Sequence, residues 1–119
     1  MYTIKPTDKE NLFIGAYFEA IDFTESDGEF DTYSGLDETF ERESFIDCLA
    51  FYSKIACYLS DNQIEQAGHD FWLTRNGHGA GFWDRPELYG KNYADMFTTI
   101  SKHFGEVYAI YNELNLEQA

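Results

Sequence analysis

The stretch Gly68-His69-Asp70-Phe71-Trp72-Leu73-Thr74-Arg75-Asn76-Gly77-His78-Gly79-Ala80-Gly81-Phe82-Trp83-Asp84-Arg85 decides how this chain is read. It holds two of the three histidines, both tryptophans, two of the three arginines and four of the nine glycines. Within Phe71–Asn76 the residues Phe71, Leu73 and Arg75 alternate with Trp72, Thr74 and Asn76, a period of two that predicts a strand. Asn76-Gly77 follows, the pair that most strongly signals a hairpin turn, and Gly81–Asp84 supplies a return strand. A β-hairpin with His78 at its tip is therefore expected, with Trp72 and Trp83 as cross-strand neighbours.

Upstream, Thr7-Asp8-Lys9-Glu10 has the form of a capping box, and Phe13, Ala16, Tyr17, Ala20 and Ile21 recur at helical spacing, giving a helix over about residues 8–23. Thr24–Thr39 reads as an acidic loop without periodicity. A second helix is expected over about 38–60, burying Phe45, Cys48, Leu49, Tyr52, Ala56 and Leu59, with Glu41, Glu43, Asp47 and Lys54 outside. Asp61 can cap a short turn over Asn62–Ala67 that Gly68 closes. Downstream of Pro86, a helix over about 88–104 presents Tyr93, Met96, Phe97, Ile100 and Phe104, and Glu106–Asn112 alternates as a last strand. The expected architecture is a single α+β domain over residues 1–119, in the order α-α-β-β-α-β, with helices packed on a small three-stranded antiparallel sheet.

Composition narrows the function classes. One domain accounts for 119 residues, and an aromatic share of 18% argues for a packed core rather than a disordered acidic tail. The net charge is −14, and Glu19–Asp47 holds eleven of the 22 acidic residues with Arg42 as its only base. Such a field repels nucleic acid and anionic membrane and attracts a basic surface. Acidic residues also serve solubility alone. No apolar run approaches membrane-spanning length, and Met1–Lys5 lacks the layout of a secretory leader, so a cytoplasmic protein is expected. Cys48 and Cys57 lie nine residues apart on one expected helix, about 13 Å at the helical rise, too far for a disulfide. Both are expected as reduced core thiols.

The run Gly68–Arg85 resembles a signature shared by short proteins of unknown function in phage and prophage genomes. The resemblance extends more weakly to Tyr17–Ala20, to the acidic turn near Glu25 and to Phe104-Gly105, so that only the expected hairpin is specific. Pro86-Glu87-Leu88-Tyr89 departs from it, where many relatives have a glycine-containing turn. The resemblance implies an accessory protein acting in a host cytoplasm and brings no reaction with it.

Two surfaces emerge as candidates. The acidic one comprises Glu25, Asp27, Glu29, Asp31, Asp37, Glu38 and Glu41, whose carboxylates would mimic nucleic-acid phosphates before a basic host protein, as in an anti-restriction or anti-CRISPR inhibitor. The other comprises Arg75, Asn76, His78, Trp83, Asp84 and Arg85, where a nest of backbone N–H groups in Gly77–Gly81 could bind or help hydrolyse a nucleotide-like anion. Ordinary structural roles compete throughout: glycines for tight turns, a tryptophan pair for the core, and arginines paired with Asp70, Asp84 or Glu87. A structural adaptor role is the third reading. No zinc-ligand spacing, Walker loop or activated nucleophile is present, so no metal, no cofactor and no catalytic residue are expected. The Tyr and Phe content leaves room for a homodimer interface.

Overall fold

The computed structural model of the chain describes residues 5–25 and 33–113. Among them five α-helices carry the architecture: α1 (Asp8–Glu25), α2 (Glu38–Ile55), α3 (Ile64–Arg75), the single turn α4 (Pro86–Tyr89) and α5 (Lys91–His103). Two short strands, β1 (Tyr33–Leu36) and β2 (Tyr111–Glu113), pair antiparallel with Leu36 opposite Tyr111 and an irregularity between Tyr33 and Gly35. The fold is thus helical, and the expected α+β arrangement on a three-stranded sheet is wrong.

The error lies in Gly68–Arg85. Phe71–Arg75 is helix, not strand, because the period begins earlier: Ile64, Ala67, Gly68, Phe71, Trp72 and Arg75 are all buried and fall on one helical face. Asn76-Gly77 closes that helix rather than turning a hairpin. The N–H of His78 donates to Leu73 O at 3.0 Å and that of Gly77 to Thr74 O at 3.3 Å, the bond pair of a Schellman cap. Only Gly77 takes a positive φ, +69°, whereas Asn76 stays at −104°; a type I′ hairpin turn needs both residues left-handed. The expected return strand is a 3-10 turn, Phe82–Asp84.

Gly68 lies mid-helix rather than closing one, and it sets the main packing contact. A Cβ there would collide with Phe13 O of α1 and come within 2.9 Å of Ala16 Cβ, so α3 approaches α1 closely only without a side chain at this position. Around that crossing Phe51 and Phe71 stack with centroids 4.0 Å apart, and Phe104 meets each ring edge-on.

The terminal elements follow their local signals. Thr7 and Glu10 form the capping box of α1, with bonds of 2.8 and 3.1 Å. Asp37 caps α2 by accepting from Phe40 N at 3.0 Å. α2 ends at Ile55 and continues as a 3-10 turn, Ala56–Tyr58, which leaves Cys57 exposed; the expectation of two core thiols holds for Cys48 alone. Gly105, at φ +81°, follows the last turn of α5. The expected strand over Glu106–Asn112 is cut to Tyr111–Glu113, and its partner β1 lies within the stretch read as an unpatterned loop.

Candidate functional site

Most polar residues of Gly68–Arg85 are committed inside the fold. Asp70 has no exposed surface. Its carboxylate accepts from Arg85 Nε at 2.9 and 3.0 Å, from Tyr89 Oη at 2.8 Å and from Gln66 Nε2 at 3.0 Å. Burial, and then the adjacent carboxylate, push the Tyr89 phenol well above its ordinary value. Arg75, 4% exposed, donates to Gly105 O at 2.8 Å, Asp47 Oδ2 at 3.0 Å, Phe104 O at 3.1 Å and Tyr17 Oη at 3.2 Å. It thereby joins α3 to α1, to α2 and to the end of α5. Thr74 Oγ1 accepts from Phe82 N at 3.0 Å, and a Cβ on Gly81 would collide with that hydroxyl oxygen. Asn76 donates to Trp72 O and accepts from Val107 N.

Of the six expected hairpin residues only Arg75 is fully buried; Asn76 and Arg85, like His78, are half-buried. Trp83, 45% exposed, and Asp84 lie on the 3-10 turn, and His78 is half-buried just beyond the cap of α3. The two tryptophans are not cross-strand partners: Trp72 is buried against the edges of Tyr17 and Phe40 and donates to Thr24 Oγ1 at 2.9 Å. Arg85 pairs with Asp70, one of the partners expected for it, while Arg75 takes Asp47, which sequence reading had placed on the outer face. Both guanidiniums expected to hold an anion are therefore committed to carboxylates.

The acidic candidates divide. Asp27, Glu29 and Asp31 lie outside the described residues. Asp37 is half-buried as the cap of α2, whereas Glu25, Glu38 and Glu41 are exposed. Glu38, Glu41 and Phe45 share one face of α2 and, with Arg42 and Phe18 of α1, line an open groove of about 520 Å³. Its aromatic residues are half-buried. The only ion pair among these residues is Glu38–Arg42, at 3.3 Å and exposed on both sides. Asp22, Glu25, Glu41 and Glu43 have no ion-pair partner among the described residues. Phe18 and Phe45 were missed as surface features, although Phe45 stands four and seven residues beyond Glu41 and Glu38.

A second concavity, of about 280 Å³, opens at the end of α3 between Glu25, Trp72, Asn76, His78 and the segment Glu106–Ala109. Glu106 and Tyr108 carry no motif that would have singled them out. Among the described residues, no three His, Cys, Asp or Glu side chains are grouped to hold a metal ion. No helix there is long and apolar enough to cross a membrane. No protein-family model, curated protein or solved structure matches the chain, so the phage resemblance of Gly68–Arg85 and the host-defence role expected of the acidic surface gain no support.

Proposed function

We propose that this protein is a non-catalytic binding module that engages the basic surface of a partner protein through the outer face of α2. The observation that carries this reading is the groove between α1 and α2: half-buried Phe18 and Phe45 lie beside Glu38 and Glu41, and Glu43 stands on the same helix without an ion-pair partner. Aromatic area gives contact energy and carboxylates give attraction and orientation, so a lysine- or arginine-bearing segment is the complementary partner. The commitment of Asp70, Arg75 and Arg85 to internal bonds supports a structural role for the signature and leaves the exposed carboxylates of the α2 face as the candidate surface. Mimicry of nucleic-acid phosphates is one form such binding takes, and it requires the partner's nucleic-acid site to be the surface covered.

The test is capture from a cell lysate on immobilised protein, run beside E38Q/E41Q/E43Q. A partner held at low salt should be released at high salt and absent from the triple variant, because screening acts over about 8 Å at physiological ionic strength. A partner retained equally by both proteins would place binding elsewhere. Competition by duplex DNA for the captured protein then distinguishes mimicry from other acidic docking.

A further inference from the structure

The two strands do not end together. Leu36 lies opposite Tyr111, and the N–H of Asp37 donates to Ile110 O at 2.7 Å, which carries the register one step beyond β1. There Asp37 caps α2 and its chain leaves the sheet. On the other side residues 106–110, which lead into β2, have no strand beside them yet keep the period of one. Glu106, Tyr108 and Ile110 are exposed, whereas Val107 and Ala109 are half-buried against the core.

Backbone groups of successive residues in a strand point to opposite edges. Ile110 faces β1, so Ala109 faces the outer edge. Among the described residues, the backbone N–H and C=O of Ala109 have no hydrogen-bond partner. Two residues earlier on the same edge, the N–H of Val107 donates to Asn76 Oδ1 at 2.8 Å. The residue that caps α3 thus supplies the acceptor that a neighbouring strand would supply. The cleft of about 280 Å³ opens along this edge, with Asn76, Val107 and Ala109 among its walls.

Native sheets blunt a bare edge with charge or proline. Val107-Tyr108-Ala109-Ile110-Tyr111 carries neither and is rich in strand-forming residues. Tyr108 and Ile110, 79% and 53% exposed, stand on the face where side chains of an added strand would lie beside them. Glu106 shares that face, Glu25 lines the cleft, and no Lys or Arg is among the described residues lining it. A basic segment is therefore complementary in charge, whereas a second copy of this chain, at −14, is not.

We infer that the outer edge of residues 107–110 docks an extended segment of a partner protein, apolar beside Tyr108 and Ile110 and basic beside Glu106, which pairs through Ala109 as an added antiparallel strand. This surface is separate from the α2 groove and does not rest on it.

The probe is the peptide acetyl-Val-Thr-Val-Thr-Lys amide, whose five residues fall in turn opposite Ile110, Ala109, Tyr108, Val107 and Glu106. Titrated into the protein, it should shift the Ala109 amide signal saturably in NMR spectra and slow hydrogen exchange of that N–H roughly tenfold or more. The same peptide N-methylated at its second residue loses the donor to Ala109 O and should bind roughly tenfold more weakly or worse. Glutamate in place of the peptide's lysine should also weaken binding. Ala109→Pro removes the N–H and should abolish binding. Y108K/I110K changes only exposed side chains, so it should keep the wild-type melting temperature while binding more weakly. The inference is overturned if the probe leaves Ala109 unmoved at millimolar concentration, if N-methylation or charge reversal of the peptide leaves its affinity unchanged, or if Y108K/I110K binds as wild type. A concentration-dependent dimer in sedimentation, with the Ala109 N–H protected in the protein alone, would assign the edge to a second copy and overturn it as well.

Discussion

Arg75 and Arg42 sit on two helices and meet opposite fates. Arg75 is 4% exposed and makes four hydrogen bonds that reach α1, α2 and the end of α5, while Arg42 lies open on α2 with one contact of 3.3 Å to Glu38. The contrast extends to their surroundings. In Gly68–Arg85 the polar atoms close a network around Asp70 and Thr74; on the α2 face they point into solvent. A buried polar group persists only if its bonds are made, and desolvation makes each missing bond costly. Exposed carboxylates carry no such penalty, so selection for binding or solubility can place them freely. The difference teaches that the most distinctive sequence need not be the interaction surface.

The largest effects should come from breaking the buried side. Arg75→Met leaves Asp47 and the Phe104 and Gly105 carbonyls without their donor, and Asp70→Asn removes the charge that Arg85 answers. Each should lower unfolding free energy by about 3–5 kcal/mol in urea denaturation, against about 0.5 kcal/mol or less for Arg42→Met. Equal losses for Arg75→Met and Arg42→Met would erase the comparison.

Gly68→Ala tests the packing that places the network. The added methyl must push α3 off Phe13 and Ala16, and overpacking of this kind costs about 1–3 kcal/mol. Its melting temperature should drop well below that of Gly79→Ala, where a Cβ meets nothing within 4 Å.

Alkaline pH sharpens the same contrast. Burial raises the phenols of Tyr17 and Tyr89, with Asp70 adding to the effect at Tyr89 and Arg75 opposing it at Tyr17. Their protons stay bound in the folded protein after the unfolded chain begins to release its own near pH 10. The stabilisation is thus intact below pH 10 and lost above it, by about 1.4 kcal/mol per pH unit for each tyrosine. Urea midpoints at increasing pH should show this decline, and Tyr89→Phe should flatten it by one tyrosine's share.

The smallest effect on stability belongs to the α2 face. E38Q/E41Q/E43Q should stay within about 0.5 kcal/mol of wild type while losing salt-sensitive binding of a basic partner. A loss of stability comparable to that of Gly68→Ala would show that this face also supports the fold.

Local signals fixed much that the structure retains. Thr7 and Glu10 announced the start of α1, Asp37 lies at the cap of a helix expected from residue 38, and Gly105 stands where α5 ends. Such features depend on bonds within one turn and are legible from spacing alone. The charge asymmetry of Glu19–Asp47 was equally plain, although Glu19, Asp37 and Asp47 proved to be used by His69, a helix cap and Arg75. Gly68–Arg85 misled because six residues of alternation resemble a strand, and Asn-Gly serves a helix cap as readily as a hairpin. The full helical period from Ile64 was hidden, since two of its six positions are glycine and arginine.

The sequence by itself therefore determined the starts of α1 and α2, the end of α5, the acidity and the wealth of aromatic side chains for a core. Only tertiary structure decided that Gly68 is an opening for Phe13 O, that Arg75 and Asp70 lie inside, and that Glu25 and Glu106 share a cleft. These partners are tens of residues apart, and no local pattern encodes which carbonyl or carboxylate a folded chain brings to a side chain. Burial then selects the pairings, because a charge removed from water must find its counterpart across the core.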